Sequence, residues 1–282
     1  MEKKRSFEAF ALGATFLLIV ILGTVFFFKP WLPELASDRG EIDKLFYVTL
    51  WITGIVFIIV QGLIGYFIWR YSKEKSEKAL HYSHDTRLEV TWTVLTAVFL
   101  FALAGWGMKI WNGTMLQPPP PNAVAVEAIG QQFAWTFRYP SPNGMFARID
   151  PKLISYQNPA GLDPKDENSK GNVLSKNDLY IPVNVPVLVR IRAMDVLHSF
   201  FLPNFRVKQD AVPGMTVSTW FTPTKVGDYE IACAQLCGLG HYTMGGMLHV
   251  MKMEDYQKKI ESMRKIKVGI DMKFVGLKGN SP

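Results

Sequence analysis

The chain has 282 residues, 49% of them hydrophobic, with a formal net charge of +7 and a pI near 9.3. Its apolar residues are crowded into a few runs, which excludes a uniformly soluble chain and points to a membrane part joined to a soluble part. Nothing in the charge pattern calls for a nucleic-acid partner.

Three uncharged runs, residues 9–28, 45–69 and 90–108, lead the chain. Each has the ~20 helical residues needed to cross a bilayer core, so helices are expected over about 9–28, 45–69 and 90–110. The first follows Glu2-Lys3-Lys4-Arg5 and could be a signal peptide. Its apolar run is too long for that, and Leu35-Ala36-Ser37 is a poor cleavage site, so a retained helix is expected. The loop between the second and third runs carries Arg70, Lys73, Lys75, Lys78 and Arg87, against Lys29, Arg39 and Lys44 among four acids in the first loop. By the positive-inside rule the N-terminus and the second loop are cytoplasmic, and all that follows the third helix is outside. Glu89 stands at the cytoplasmic start of that helix, where an acid is favoured by the helix dipole.

Residues 1–115 thus form the anchor. Pro118-Pro-Pro-Pro121 makes 116–122 a stiff polyproline linker that sets the height of the outer domain above the bilayer. From Val124 the apolar period becomes two, over 124–128, 133–139, 179–185, 187–194, 217–221, 229–232 and 246–250. Short strands bounded by Pro and Gly make 123–253 a Greek-key β-sandwich, so the chain is a membrane-anchored α segment plus an all-β domain. Residues 141–178, rich in Pro, Gly, Asn, Lys and Asp, read as a long surface insertion. The tail, 254–282, carries Lys258, Lys259, Arg264, Lys265, Lys267, Lys273 and Lys278. It reads as a short helix and a basic extension able to touch lipid headgroups or a neighbouring subunit.

The chemistry is concentrated in Cys233-Ala-Gln-Leu-Cys237-Gly-Leu-Gly-His241-Tyr-Thr-Met244, which holds the chain's only two cysteines. Thiolate, imidazole and thioether suit copper, and two thiolates four residues apart can bridge two metals. A distant histidine is available in Asp195-Val-Leu-His198-Ser. The alternatives remain a disulfide for the cysteines, core packing for Met244 and a buried hydrogen-bonded imidazole for His198.

These motifs, with Lys208-Gln-Asp210-Ala-Val-Pro213-Gly214, resemble subunit II of the haem–copper cytochrome c oxidases, from the second apolar run to about residue 253. The resemblance implies a cupredoxin-type domain with a binuclear copper (CuA) centre of two copper ions. His198 and Met244 would complete one copper, His241 and the carbonyl of Gln235 the other, with Cys233 and Cys237 shared. The family usually has a glutamate at the position of Gln235. A neutral amide is a poorer ligand for a hard cation, which makes the family's magnesium doubtful. The resemblance also implies that Glu89 marks the entrance of a proton pathway and that Phe133 or Trp135, in Gln132-Phe133-Ala134-Trp135, takes electrons from the donor. Phe133 stands where a tryptophan is usual, and both could equally be core aromatics. Asp195 matches a donor-docking acid, or is a solvated turn residue.

The implied function is transfer of single electrons from cytochrome c, or a small copper protein, to a haem in the catalytic subunit I. Oxygen is reduced to water there, with proton translocation, in a bacterial-type inner membrane with the copper domain on the periplasmic side. Other oxidase subunits and membrane lipid are the remaining partners. A nitric oxide reductase subunit and a membrane-anchored copper-delivery or thiol-redox protein are the alternatives. Residues 124–252 hold 12 basic and 10 acidic side chains, and 231–251 hold none. A weakly salt-dependent, apolar docking face around the copper loop is therefore expected.

Overall fold

The computed structural model describes residues 2–29, 31–71 and 83–277. Lys73, Lys75, Lys78 and His81 of the basic loop, and Lys278 of the tail, lie outside the described residues.

Helices α1 (Glu2–Phe28), α2 (Gly40–Tyr71) and α3 (Thr86–Trp111) form one unit. They run past the apolar stretches because polar groups stabilise their first turns. Glu41 and Asp43 complement the α2 dipole, and Asp85 Oδ1 caps α3 by accepting from the Arg87 and Leu88 N–H groups at 3.0 and 3.1 Å. Helices α2 and α3 are long and apolar enough to cross a membrane, and the apolar core of α1 is Phe10–Phe26. Glycines set the packing of α1 on α2. A Cβ on Gly23 would lie 2.8 Å from the Phe57 ring, and one on Gly65 3.4 Å from Phe16. The two helices are therefore antiparallel neighbours joined through small residues.

The second unit combines residues 32–40 with the chain from Asn112 onward. After a π-helical turn, Asn112–Leu116, come strands β1 (Val124–Gln131), β2 (Ala134–Tyr139), β3 (Val173–Lys176), β4 (Asp178–Pro182) and β5 (Val187–Ala193). Then follow β6 (His198–Leu202), β7 (Val207–Ala211), β8 (Val217–Phe221), β9 (Gly227–Cys233) and β10 (Gly245–Met251). They make two five-stranded sheets, ordered β3-β2-β1-β5-β8 and β4-β10-β9-β6-β7. This is the cupredoxin-type sandwich. Between the sheets Trp135, Phe137, Val189, Ile191, Phe200, Leu202, Ile231 and Leu248 are buried, each large side chain contributing ~1.5–3 kcal/mol by leaving water.

Strands β3, β6 and β7 have no visible alternation in the sequence. Strand β3 is a four-residue edge paired with β2, and His198-Ser-Phe-Phe-Leu202 is covered along nearly its whole length. The insertion is irregular over 141–172 apart from a 3-10 turn, Pro151–Leu153, and a helical turn α4 (Asn168–Gly171), and its last residues belong to β3 and β4.

That insertion is tied to the sheet by an ion triad. Glu127 accepts from Arg138 Nε at 2.7 Å and pairs with Arg192 Nε at 3.2 Å, all three residues being buried. Arg138 also donates to the Ala147 carbonyl and Arg192 to the Ala160 carbonyl, at 3.0 and 2.6 Å. Both guanidinium groups thus reach backbone of the insertion.

Residues 32–40 strap the far side. The Ala36 N–H donates to the Asn204 carbonyl and the Thr224 N–H to the Ala36 carbonyl, both at 2.8 Å. Arg39 is buried and donates to the Trp220 carbonyl at 2.6 Å and to Thr219 Oγ1 at 3.2 Å. Helix α5 (Met253–Leu277) returns along the domain, with Tyr256, Ile260 and Met263 against the core at one helical face.

Candidate metal centre

Three connections meet at one end of the sandwich. The β5–β6 turn brings Asp195 and the start of β6 brings His198; the end of β9 brings Cys233; and the β9–β10 loop brings Gln235, Cys237, His241 and Met244. His198, Cys237 and Met244 are buried, whereas Cys233 and His241 are half-buried.

Both cysteines are free, with their sulfurs 4.0 Å apart. Ligand atoms of His198, Cys233 and Cys237 all lie within 4.8 Å of one another. His198 Nδ1 is 3.9 Å from Cys233 Sγ, and the Gln235 carbonyl oxygen is 3.3 Å from the same sulfur. His241 Nδ1 and Met244 Sδ stand 3.5 and 3.7 Å from Cys237 Sγ. Two donors each about 2.3 Å from one ion can be no more than about 4.6 Å apart. All six expected donors meet that limit with a neighbour, so the residues fit a sulfur-bridged metal pair.

Electrostatics point the same way. Burial pushes the Cys237 thiol up to about 11, and the neighbouring Cys233 adds to the shift, because two thiolates side by side repel. A bound cation would relieve both costs.

The supporting contacts explain the orientation of His198. Its Nε2 is 2.8 Å from Asp195 Oδ1, which leaves Nδ1 toward the sulfurs. The same carboxylate accepts from the Gln132 N–H at 2.7 Å and from the Val196 N–H at 2.7 Å. Burial alone would raise the Asp195 carboxyl; the bonds from Gln132, His198 and Val196 outweigh it and hold its pKa low. Gly130 lies under the imidazole, where a Cβ would come within 2.9 Å of His198 Cδ2.

Gln132 is a site residue without a sequence signal of its own. Its side-chain amide donates to the Cys237 carbonyl at 2.6 Å, so one residue joins the histidine arm to the cysteine loop. Phe133 covers that loop: a Cβ on Gly240 would fall 2.5 Å from its ring, and Phe133 itself is 37% exposed. Trp135 is fully buried, its ring centroid 6.1 Å from that of His198 and 5.3 Å from that of Phe200. Glu89 belongs to the helical unit, exposed in the first turn of α3. His249 makes no contact with the donors; it stacks on Tyr180 and meets Asp228 at 2.7 Å.

A membrane-anchored cupredoxin-type sandwich that gathers two free thiols, two imidazoles and a thioether at one end defines a class, the copper-binding outer domains of respiratory oxidases. Residues 124–251 match the family of the cytochrome c oxidase subunit II periplasmic domain, and residues 33–110 its transmembrane domain. The alternative cytochrome c oxidase subunit 2 of Bradyrhizobium diazoefficiens is 35% identical over 272 residues, 95% of each chain. The cytochrome c oxidase subunit 2 of Cereibacter sphaeroides is 28% identical over 84% of this chain and 80% of its own. A solved periplasmic domain of subunit II of cytochrome oxidase from Bradyrhizobium japonicum is 29% identical, with 52% of this chain and 98% of that one covered at a TM-score of 0.39. The chain belongs to the cytochrome c oxidase subunit II family. It is a membrane-anchored subunit of a cytochrome c oxidase, an oxidoreductase complex.

Proposed function

We propose that this subunit holds a binuclear CuA centre and uses it to accept single electrons from cytochrome c or a small copper protein. The electrons pass to a haem of subunit I for reduction of oxygen to water coupled to proton translocation. The observation that carries the reading is the pairing of outer donors with sulfurs. His198 and the Gln235 carbonyl flank Cys233, while Met244 and His241 flank Cys237. His198 and Met244 would hold one copper and His241 and the Gln235 carbonyl the other, with Cys233 and Cys237 available to both.

When bound, the copper pair supplies one-electron chemistry with the charge spread over two ions and two sulfurs. The protein's part is to keep the donors still. Cys233 ends β9 and Met244 precedes β10, and these strands are paired through Gly245 and Ala232. The Cys233 N–H donates to the Met244 carbonyl at 3.1 Å, closing the loop at its base. Asp195 holds His198 in one tautomer and orientation. Phe133, at the surface over the copper loop, is the residue through which electrons come in, and Trp135 packs behind His198. The neutral amide of Gln235 offers no carboxylate to a magnesium ion, so none is assigned.

The domain lies on the periplasmic side of a bacterial inner membrane. The positive-inside pattern of the flanking loops supports this orientation. Glu89 is the entrance of a proton pathway on the cytoplasmic side.

Rapid mixing of the intact oxidase with reduced cytochrome c tests the reading. Haem reduction should be fast in the copper-loaded complex and lost in a Cys233→Ser complex that still contains its haems. Equal rates in the two would refute the assignment.

A further inference from the structure

The metal end of the sandwich is almost free of charge. At that end residues 130–135, 196–199, 211–216 and 233–246 contain no Asp, Glu, Lys or Arg. These stretches converge. Phe133 packs on Gly240, Gln132 bonds to Asp195 next to Val196 and Leu197, and a bridge between Ala193 and Pro213 brings the β7–β8 turn alongside. Leu239 is 97% and Tyr242 88% exposed, with Phe133, Val196, Leu197 and Met215 also open at the same end. Of the carboxylates beside them, Asp195 is turned inward onto His198, Gln132 and Val196, and Asp210 is held by Ser199 and paired with Lys208.

Resting on the reading of the chain as an electron-accepting subunit, we propose that this face docks a donor whose own contact surface is uncharged and apolar. A donor ringed by lysines meets here only carboxylates that already have partners, Asp195 and Asp210, and burying its charges against Leu239 and Tyr242 would cost desolvation without a partner. A near-neutral donor matches the face by apolar burial, which salt does not screen. Leu239 and Tyr242, flanking His241, are its centre.

The test uses the intact oxidase with two probes, a lysine-rich cytochrome c and a cytochrome c of near-zero net charge, read by stopped-flow haem reduction and by calorimetric binding. With the near-neutral probe the association rate should change less than about threefold between low and physiological salt, whereas charge-steered pairs change by about tenfold or more. It should also bind more tightly than the lysine-rich probe at physiological salt. Leu239→Asp should slow association about tenfold while the copper spectrum and the subunit composition stay as in the parent; Leu239→Met should behave as the parent. Steep salt dependence with the near-neutral probe, or a Leu239→Asp oxidase as fast as the parent, overturns the proposal. Loss of subunit I from the Leu239→Asp complex also overturns it, because the face is then a subunit contact. A copper-loaded oxidase that takes electrons from neither probe would sink the functional reading itself, and the docking proposal with it.

Discussion

Two buried polar clusters in the same domain are built on opposite terms. Around Glu127 every charged group already has a partner: two guanidinium groups share one carboxylate, and each also donates to a backbone carbonyl of the insertion. At the metal end two thiols lie 4.0 Å apart with a thioether and an imidazole against one of them, and of the donors there only His198 has a charged partner, Asp195. A satisfied cluster holds a fold together. A cluster of acceptors facing each other is a place kept for a cation.

The largest expected effect breaks the second cluster. Replacing Cys233 or Cys237 by Ser should leave the sandwich folded and remove the dinuclear centre, with metal analysis of the purified complex falling from two coppers to one or none in this subunit. Next is the first cluster. Glu127→Gln leaves two buried guanidinium groups facing each other and should cost ~3–5 kcal/mol, read as a fall of roughly 10 °C in the unfolding midpoint of the whole chain. Copper occupancy at low temperature should stay unchanged, which separates the two clusters.

Asp195→Asn should weaken copper binding by ~10–100-fold and alter the optical spectrum, because His198 loses its carboxylate partner while the fold is kept. Uptake of copper should strengthen with pH. The Cys237 thiol, raised to about 11, is protonated in the metal-free chain, so binding must release its proton. Each released proton is worth up to about tenfold in affinity per pH unit below that value, measurable by competition with a chelator at two pH values. The smallest effect is at His249. Its pairs with Asp228 and Asp178 lie at the surface, and His249→Ala should change stability by less than ~1 kcal/mol and leave the copper spectrum untouched.

Legibility in the sequence followed the range of the interactions. Helices α2 and α3 were plain because each apolar run carries its own signal, and their polar first turns, fixed by Glu41, Asp43 and Asp85, lay outside it. The cysteine loop was legible because Cys233, Gln235, Cys237, His241 and Met244 are local. Strand β6 was hidden because its cover on both faces erases alternation. Gln132 was hidden for another reason: its partners, Asp195 and Cys237, are 63 and 105 residues away, and nothing in its own neighbourhood marks them. Gly130 and Gly240 act only through rings that arrive from elsewhere in the fold.

The central claim is that one unpaired electron can be shared between two coppers held by Cys233 and Cys237. Electron paramagnetic resonance of the oxidised, copper-loaded complex tests it most directly. The account predicts hyperfine structure from two near-equivalent copper nuclei, collapsing in the Cys237→Ser variant. A signal from a single copper nucleus, or no signal with Cys233 and Cys237 joined as a disulfide, would contradict it.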